Sequence, residues 1–374
     1  MKIYIQRFLG DAMPLIPLSG LYFLHLGFSL TQISALFLQY AIWTAILEVP
    51  TGYLADRTSH RSAMITAKIL KLIAFIPWVF FPSYLWISVG FFVWSLASAL
   101  DSGAFQSYLA DLVEENEFQK VYGRSLTVSL VAFTLGALSY SLVPIVGFYT
   151  LGLIGLGMLA GSVVVSLALP RVTEQHKEEQ SEVREKLSFS KILTPSFAMV
   201  LSLVLIGAFA GGIKGTLDEY SGLLLSSTNT LALGIGLSLG LLEIVKAFGT
   251  GLAHHVSLGV SKQKYVLLLL AFVFIVVGKL PLYLIVILLM LVLVIDGVLW
   301  VHNDSAIQKY APKHLRATIT SLKSLCGETV ATLFLGAVTL MSIGKVEYIY
   351  MVGGFILVLG FVVVIAVNYF LAKK

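Results

Sequence analysis

Four carboxylates lie inside long apolar runs of the sequence: Asp11, Asp101, Glu243 and Asp296. An ionisable side chain in membrane hydrocarbon costs about 2.5–3.5 kcal/mol on insertion scales, so carboxylates that persist there are candidates for function. Burial favours the protonated form of a carboxyl group, so Asp101 and Asp296 could exchange protons near neutral pH. For both residues a structural ion pair or hydrogen bond is the alternative. Arg7, one turn before Asp11, and Lys246, three residues after Glu243, favour local pairing at those two sites.

Aromatic and polar side chains share helical spacing with three of these carboxylates. Steps of three or four residues place side chains on one face of a helix. The faces of Asp11, Asp101 and Asp296 then carry Tyr22, Trp94, Phe105, Trp300, Asn303 and Asp304. Such faces could hold an amphipathic or cationic molecule through apolar contact, cation–π attraction and Coulomb attraction. Packing of the rings between helices is the alternative. Lys214 and Asp218, four residues apart, either join this cavity or form a local ion pair.

Composition indicates what kind of chain carries these groups. Of 374 residues, 58% are apolar and only 12% are charged, and the mean hydropathy is +0.92. Soluble proteins have about 25% charged residues. A soluble enzyme, a disordered chain and a nucleic-acid-binding protein are therefore excluded, although the net charge is +5. The single cysteine, Cys326, excludes disulfides and thiolate metal clusters. No metal or ATP motif is present, and we expect no cofactor.

Apolar runs long enough to cross a membrane occur twelve times, separated by polar, proline or glycine residues. They cover residues 4–25, 31–54, 63–81, 84–109, 123–143, 148–169, 193–217, 230–253, 264–280, 282–307, 317–342 and 348–371. The separations at 81–83 and 280–281 are short, which leaves ten or eleven spans open. We expect an all-α integral membrane protein. Its predicted parts are a six-helix bundle at 1–169, a polar cytoplasmic linker at 170–191 and a second six-helix bundle at 192–374.

Rare charged residues recur at a constant offset and predict that the two bundles are related. Glu48 and Glu243 are 195 residues apart, and so are Asp101 and Asp296. Each match alone is weak, but two charged residues repeated at one offset inside apolar runs favour a duplicated six-helix unit. Asp101 and Asp296 would then be equivalent positions of the two pseudo-repeats.

Basic residues orient the spans. Alternate loops, together with both termini, hold nearly all lysines and arginines, whereas the opposite loops hold only Lys279 and Lys345. This asymmetry predicts cytoplasmic N- and C-termini in the plasma membrane. The first residues contain no convincing small-residue cleavage site, so we interpret the first span as retained.

The segment 47–61 reads Leu-Glu-Val-Pro-Thr-Gly-Tyr-Leu-Ala-Asp-Arg-Thr-Ser-His-Arg. It resembles the signature loop of the major facilitator superfamily, Gly-x-Leu-Ala-Asp-Arg-x-Gly-Arg-Arg/Lys. Ser59 and His60 depart from that pattern by replacing a glycine and a basic residue. The segments 100–111 and 122–124 are similar to small bacterial efflux-type members of the family.

This resemblance implies the major facilitator fold, in which spans 1, 4, 7 and 10 line a central cavity. Those spans carry Asp11, Asp101, Lys214, Asp218 and Asp296. It further implies a cytoplasmic gate, in which Arg57 and Arg61 could clamp Asp111; the alternative is that the loop only anchors the topology. The gate residues are Gly52, Asp56, Arg57, Arg61 and Asp111. Two family features are missing, since the antiporter signature of span five matches poorly and span four lacks its mid-membrane arginine.

The expected function is secondary active transport by alternating access, with proton-driven export of an amphipathic or cationic small molecule or short peptide. Two alternatives stay open: a proton-symport importer of a small nutrient, and a receptor-like or scaffold protein that does not transport. An enzyme is not expected, because the Gly-x-Ser-x-Gly pattern at 236–240 lies within an apolar helical run instead of a strand–turn–helix. The expected partners are the substrate, protons and the lipid bilayer, without nucleic acid, and the expected state is a monomer.

Overall fold

The structure is a computed structural model, and it describes residues 1–57, 59–171, 195–253, 255–311 and 316–372. All regular structure in these ranges is helical. The predicted linker at 170–191 falls almost entirely outside the described residues, so its cytoplasmic position and its boundaries stay predictions.

The described residues of the first half of the chain form seven α-helices. They are α1 (Lys2–Asp11), α2 (Ser19–His25), α3 (Leu30–Arg57), α4 (His60–Phe80), α5 (Tyr84–Leu112), α6 (Glu115–Leu138) and α7 (Val143–Leu167). A 3₁₀ turn, Ser139–Leu142, joins α6 to α7. In this half α4 packs closely on α5, and α1 packs on α7 and α6. Gly90 permits the first contact, since a Cβ there would lie 2.6 Å from the carbonyl oxygen of Ala74.

In the second half, residues 195–253, 255–311 and 316–372 also form seven α-helices. They are α8 (Pro195–Glu219), α9 (Ser221–Ser226), α10 (Ala232–Leu252), α11 (Val260–Val277), α12 (Leu282–Tyr310), α13 (Arg316–Leu340) and α14 (Val346–Ala372). Here α11 packs on α14, and α8 packs on α12, α13 and α14. Gly278 and Gly354 allow α11 and α14 to approach closely, because a Cβ at either would lie within 3 Å of atoms of the facing helix.

Every predicted span overlaps one of these helices. Eight segments of the described residues are long and apolar enough to cross a membrane, and one of them, Lys120–Leu167, contains two predicted spans in a continuous run. The predicted all-α membrane fold is confirmed, and twelve spans are consistent with it. The largest boundary error is at α6, which begins at Glu115 instead of residue 123.

The first predicted span is broken, as its two prolines require. Residues 12–18 leave the helical path between α1 and α2 and contain Pro14 and Pro17. A proline lacks the N–H that would bond the carbonyl four residues earlier. Pro14 therefore leaves the carbonyl of Gly10 free to accept another donor. Pro82 has the same effect on the carbonyl of Trp78, which accepts instead from the hydroxyl of the buried Tyr22.

Two compact units divide the chain. One contains residues 1–28, 36–185 and 231–240, and the other contains residues 29–35, 186–230 and 241–374. Each unit has its own buried apolar core. In the first, Met64, Leu109 and Tyr108 are central, and in the second the core includes Leu203, Val204 and Ile307.

Candidate functional site

Asp11 lies at the C-terminal end of α1 in a buried polar network of the first unit. Its carboxylate is 2.9 Å from Arg7 Nε and 3.4 Å from Lys71 Nζ. The hydroxyl of Ser129 on α6 donates to Asp11 Oδ2 at 2.6 Å. The pairing with Arg7, predicted from the four-residue spacing, is confirmed. Asp11 therefore joins three helices, which favours the structural interpretation of this carboxylate.

Lys71 completes this network through the backbone break in the first span. Its Nζ donates to the Gly10 carbonyl at 2.7 Å, the acceptor that Pro14 leaves free. A lysine of α4 thus satisfies both a carboxylate and an orphaned carbonyl of α1. The proline bend explains why Lys71 can lie here. In an uninterrupted helix the Gly10 carbonyl would have accepted a hydrogen bond from the backbone of residue 14.

Asp101 is paired with Lys68. Nζ of this lysine, on α4, donates to Asp101 Oδ2 on α5 at 2.6 Å, and the side chains are 4% and 22% exposed. The other carboxylate oxygen, Oδ1, is buried and has no hydrogen-bond partner among the described residues. Because Lys68 is buried and Asp101 is the carboxylate that pairs with it, Asp101 balances the charge of this lysine.

The aromatic residues predicted to line the cavity of the first half are packed or buried. Trp94 lies 4.6 Å from Tyr40 and 5.2 Å from Phe75, measured between ring centroids. Tyr22 and Phe105 are buried, at 5% and 4% exposure. The ring of Phe105 lies beneath the Arg7 guanidinium, 5.0 Å from the centroid. For these three predicted cavity residues the contacts favour packing between helices over direct exposure to a substrate.

The second unit contains a chain of alternating charges on α8, α10 and α12, which we call the C-unit network. Its members in order are Asp296, Lys214, Asp218, Lys246 and Glu243. Lys214 Nζ lies 2.9 Å from Asp218 and 3.6 Å from Asp296. Lys246 Nζ lies 3.5 Å from Asp218 and 2.6 Å from Glu243. The two local pairs predicted from spacing, Lys214–Asp218 and Glu243–Lys246, are confirmed, and the structure joins both to Asp296.

The remaining predicted residues of span ten do not share one environment. Trp300 is 55% exposed, whereas Asn303 is fully buried, so the helical stripe predicted for them does not face one cavity. Asn303 Nδ2 donates to the Leu203 carbonyl at 3.0 Å and to Gln263 Oε1 at 3.2 Å. Asp304 accepts from Lys323 on α13.

The signature loop is described only in part. Gly52, Asp56 and Arg57 lie in α3, but the side chains of Asp56 and Arg57 are outside what the structure describes, so their part in a gate stays a prediction. Arg61 does not clamp Asp111, contrary to the prediction. Its guanidinium instead donates to the carbonyls of Leu167 and Leu169, at 2.6 and 3.0 Å, where α7 ends and carbonyls lack helical donors.

Asp111 is bound by the residue that departs from the family signature. Nδ1 of His60 lies 2.7 Å from Asp111 Oδ2. The substituted histidine thus takes the partner that the resemblance assigns to the arginines. Sequence reasoning noticed His60 only as a mismatch.

The sequence did not identify the partners of the lysines of α4. Lys68, Lys71 and Arg124 are alternative partners of Glu48 by sequence, yet the two lysines contact Asp101 and Asp11. The sequence of α4 contains no acidic residue that could pair with Lys68 or Lys71 on the same helix. This absence could have indicated that both lysines pair with carboxylates of neighbouring helices. Which carboxylate each lysine meets depends on how α1, α4 and α5 pack, which spacing does not give.

Buried charge networks on apolar, membrane-length helices define an all-helical, multi-pass membrane protein. The chain matches the Major Facilitator Superfamily over residues 3–335. It therefore belongs to this family of membrane transporters, as the signature loop predicted. A curated relative, the uncharacterized MFS-type transporter YxaM of Bacillus subtilis (strain 168), is 24% identical over 219 residues, covering 54% of this chain and 52% of that protein. The match thus spans about half the length of that relative.

Solved structures share the fold along the whole chain. The nucleoside transporter NupG has a TM-score of 0.73 at 13% identity and covers 98% of both chains. A POT family transporter in complex with 5-aminolevulinic acid has a TM-score of 0.71 at 14% identity, over 99% of this chain and 95% of that one. A bacterial homologue of the iron transporter ferroportin has a TM-score of 0.68 at 16% identity, over 98% of both. These likenesses confirm the fold alone.

Proposed function

We propose that the protein is a secondary active transporter that works by alternating access and exports an amphipathic or cationic solute in exchange for protons. The observation that carries this proposal is the charge balance of the C-unit network. Its five connected side chains include three carboxylates and only two lysines. With all five ionised, the network has one negative charge in excess.

Neighbouring charges do not cancel this excess. Glu219 is close enough to Lys246, Asp218 and Glu243 to interact with them, and it adds a further carboxylate. Lys323 also interacts with Asp296, but it is engaged by Asp304. An uncompensated charge inside a membrane is costly. The network is therefore stabilised when it binds either a proton or a cation.

Competition for one negative charge is a sufficient basis for antiport. A cationic substrate that neutralises the network releases the proton, and a proton that binds releases the substrate. Each ligand shifts the population toward the state that binds it better. The side chains of the network are 16–29% exposed, so a ligand can reach them.

One observation favours the second candidate, proton symport. Among the described residues of the first unit, Arg7, Lys68 and Lys71 face only Asp11 and Asp101, an excess of one positive charge. Protonation of Asp101 would free Lys68 for an anionic group of a substrate. Proton and substrate would then bind together, as symport requires.

A pH-sensitive dye inside proteoliposomes distinguishes the two. The purified protein is reconstituted without a preset pH gradient, and solutes are added outside: lipophilic cations, cationic peptides, nucleosides and amino acids. Antiport predicts that the interior becomes alkaline, because protons leave as the solute enters. Symport predicts that it becomes acidic, and neither sign depends on the orientation of the protein.

Two variants of the protein test whether the pH change inside the proteoliposomes depends on the C-unit network. Asp296→Asn removes the excess negative charge, so it should abolish the pH change caused by a cation. Glu117→Gln, a matched loss of an exposed carboxylate on α6, should leave the change intact. Acidification by the solutes, or full alkalinisation in Asp296→Asn, would contradict the proposal.

A further inference from the structure

The ends of two neighbouring helices form a cavity that the transport proposal does not use. It has a volume of about 210 Å³ and lies between the C-terminal end of α11 and the N-terminal end of α14. Its lining, which we call the boundary pocket, consists of Ile275, Gly278, Lys279, Lys345, Glu347, Tyr348 and Met351. Both helices are long and apolar enough to cross a membrane. The pocket therefore lies where a span ends, at the level of lipid headgroups.

Both lysines of the boundary pocket are exposed, one just after α11 and the other just before α14. They are also the two basic residues that the charge pattern places on the side of the membrane opposite to all other basic loops. Topology alone does not require them to share a cavity. Their convergence makes a local positive site on an otherwise lysine-poor surface.

Close helix packing holds the two lysines together. A Cβ at Gly278 would lie 2.6 Å from Cβ of Glu347, so the end of α11 can reach the start of α14 only without a side chain at this position. Glu347, in the first turn of α14, is the one carboxylate of the pocket lining. With two lysines and one glutamate, the pocket carries one net positive charge.

The opposite side of the pocket is apolar and aromatic. Ile275 and Met351 lie one turn inside their helices, and Tyr348 is 50% exposed. Tyrosine is favoured at membrane interfaces because its ring is apolar and its hydroxyl is polar. The pocket is thus cationic beyond the helix ends and apolar within them. A phospholipid has the same arrangement, with its headgroup at the membrane surface and its acyl chains further in.

We propose that the boundary pocket binds the phosphate group of an anionic phospholipid. Lys279 and Lys345 would contact the phosphodiester, whereas Glu347 limits the positive charge of the pocket to one. The acyl chain would continue along Ile275 and Met351. The volume is several times the ~30 Å³ occupied by a liquid water molecule, which leaves room for a phosphodiester group.

Native mass spectrometry of the purified full chain tests this proposal with phosphatidylglycerol and phosphatidylcholine. Removal of one basic charge near an anionic lipid should weaken binding by about fivefold. We expect Lys279→Gln and Lys345→Gln each to lower the fraction with bound phosphatidylglycerol by that factor. Lys262→Gln, at the other end of α11, is the matched control and should retain it. Equal retention in all three variants would overturn the proposal.

Glu347→Gln separates the proposed contact from a structural role of the helix ends. Removal of this carboxylate raises the net positive charge, so phosphatidylglycerol binding should increase by about fivefold. A decrease would contradict an anionic ligand and indicate an amine-containing headgroup instead. Glycerol phosphate provides a further test. If it raised the melting temperature of the protein as much as phosphatidylglycerol does, the ligand would be a soluble phosphate and the proposal would be overturned.

Discussion

Lys68 Nζ lies 2.6 Å from Asp101 Oδ2, so a lysine of α4 neutralises the carboxylate that the repeat pattern singled out on α5. Its counterpart Asp296 also meets a lysine, Lys214, but at 3.6 Å and as one end of a longer network. The two positions are equivalent by sequence offset, yet they differ in charge balance. We therefore place the main coupling role in the C-unit network and a balancing role at Asp101.

The Lys68–Asp101 pair should contribute strongly to stability. Removing one partner of a buried ion pair costs about 3–5 kcal/mol because the other charge is left uncompensated. Asp101 is 22% exposed, so we expect Asp101→Asn to lower the free energy of unfolding by roughly the smaller of these values. Thermal unfolding in detergent measures the effect.

The double variant Lys68→Met with Asp101→Leu is the control for that prediction. It removes both charges and keeps similar volume, so it should recover most of the lost stability. If the double variant were as unstable as Asp101→Asn, the Lys68–Asp101 ion pair would not be what stabilises the contact between α4 and α5.

Gly90 should be intolerant of any side chain. A Cβ there would lie 2.6 Å from the Ala74 carbonyl oxygen and 2.7 Å from Trp78 Nε1. Because the first of these atoms is backbone, α4 and α5 would have to separate, and overpacking of this kind typically costs about 1–3 kcal/mol. The matched control is Gly157→Ala, since a Cβ at Gly157 has no atom within 4 Å. Similar melting temperatures for Gly90→Ala and Gly157→Ala would contradict the close approach of α4 and α5.

Arg61 should stabilise the end of α7 more than the His60–Asp111 contact stabilises the start of α4. Arg61 donates two charged hydrogen bonds to carbonyls that have no helical partner, and a hydrogen bond to a charged group contributes about 1.5–3 kcal/mol. The partly exposed His60–Asp111 contact should contribute about 1 kcal/mol or less. Thermal unfolding of Arg61→Gln and Asp111→Asn compares them, and an equal or larger loss in Asp111→Asn would reverse this ranking.

The sequence was sufficient for the fold and for local charge pairs. Apolar runs located the helices, and four-residue spacing identified Arg7–Asp11 and Lys214–Asp218. These features depend on residues close together in the chain. Spacing could not identify contacts between helices, such as that of Lys68 on α4 with Asp101 on α5.

The candidate site was harder to predict because a helical stripe does not reveal which neighbour covers it. Trp300 and Asn303 follow the spacing of one face, but one is 55% exposed and the other is fully buried. The signature loop shows a similar limit. The motif indicated that Asp111 has a basic partner, but the packing of α4 on α7 engages Arg61 elsewhere and leaves His60 to fill that role.

Proton release on substrate binding tests the central claim most directly. The purified protein in weakly buffered detergent is mixed with tetraphenylphosphonium, a lipophilic cation, or with another cation that gives a signal in proteoliposomes, and the pH of the solution is recorded. Competition for the excess charge of the C-unit network predicts release of up to about one proton per bound cation, with loss of the signal in Asp296→Asn. Proton uptake, or cation binding without any change in pH, would contradict antiport through this network.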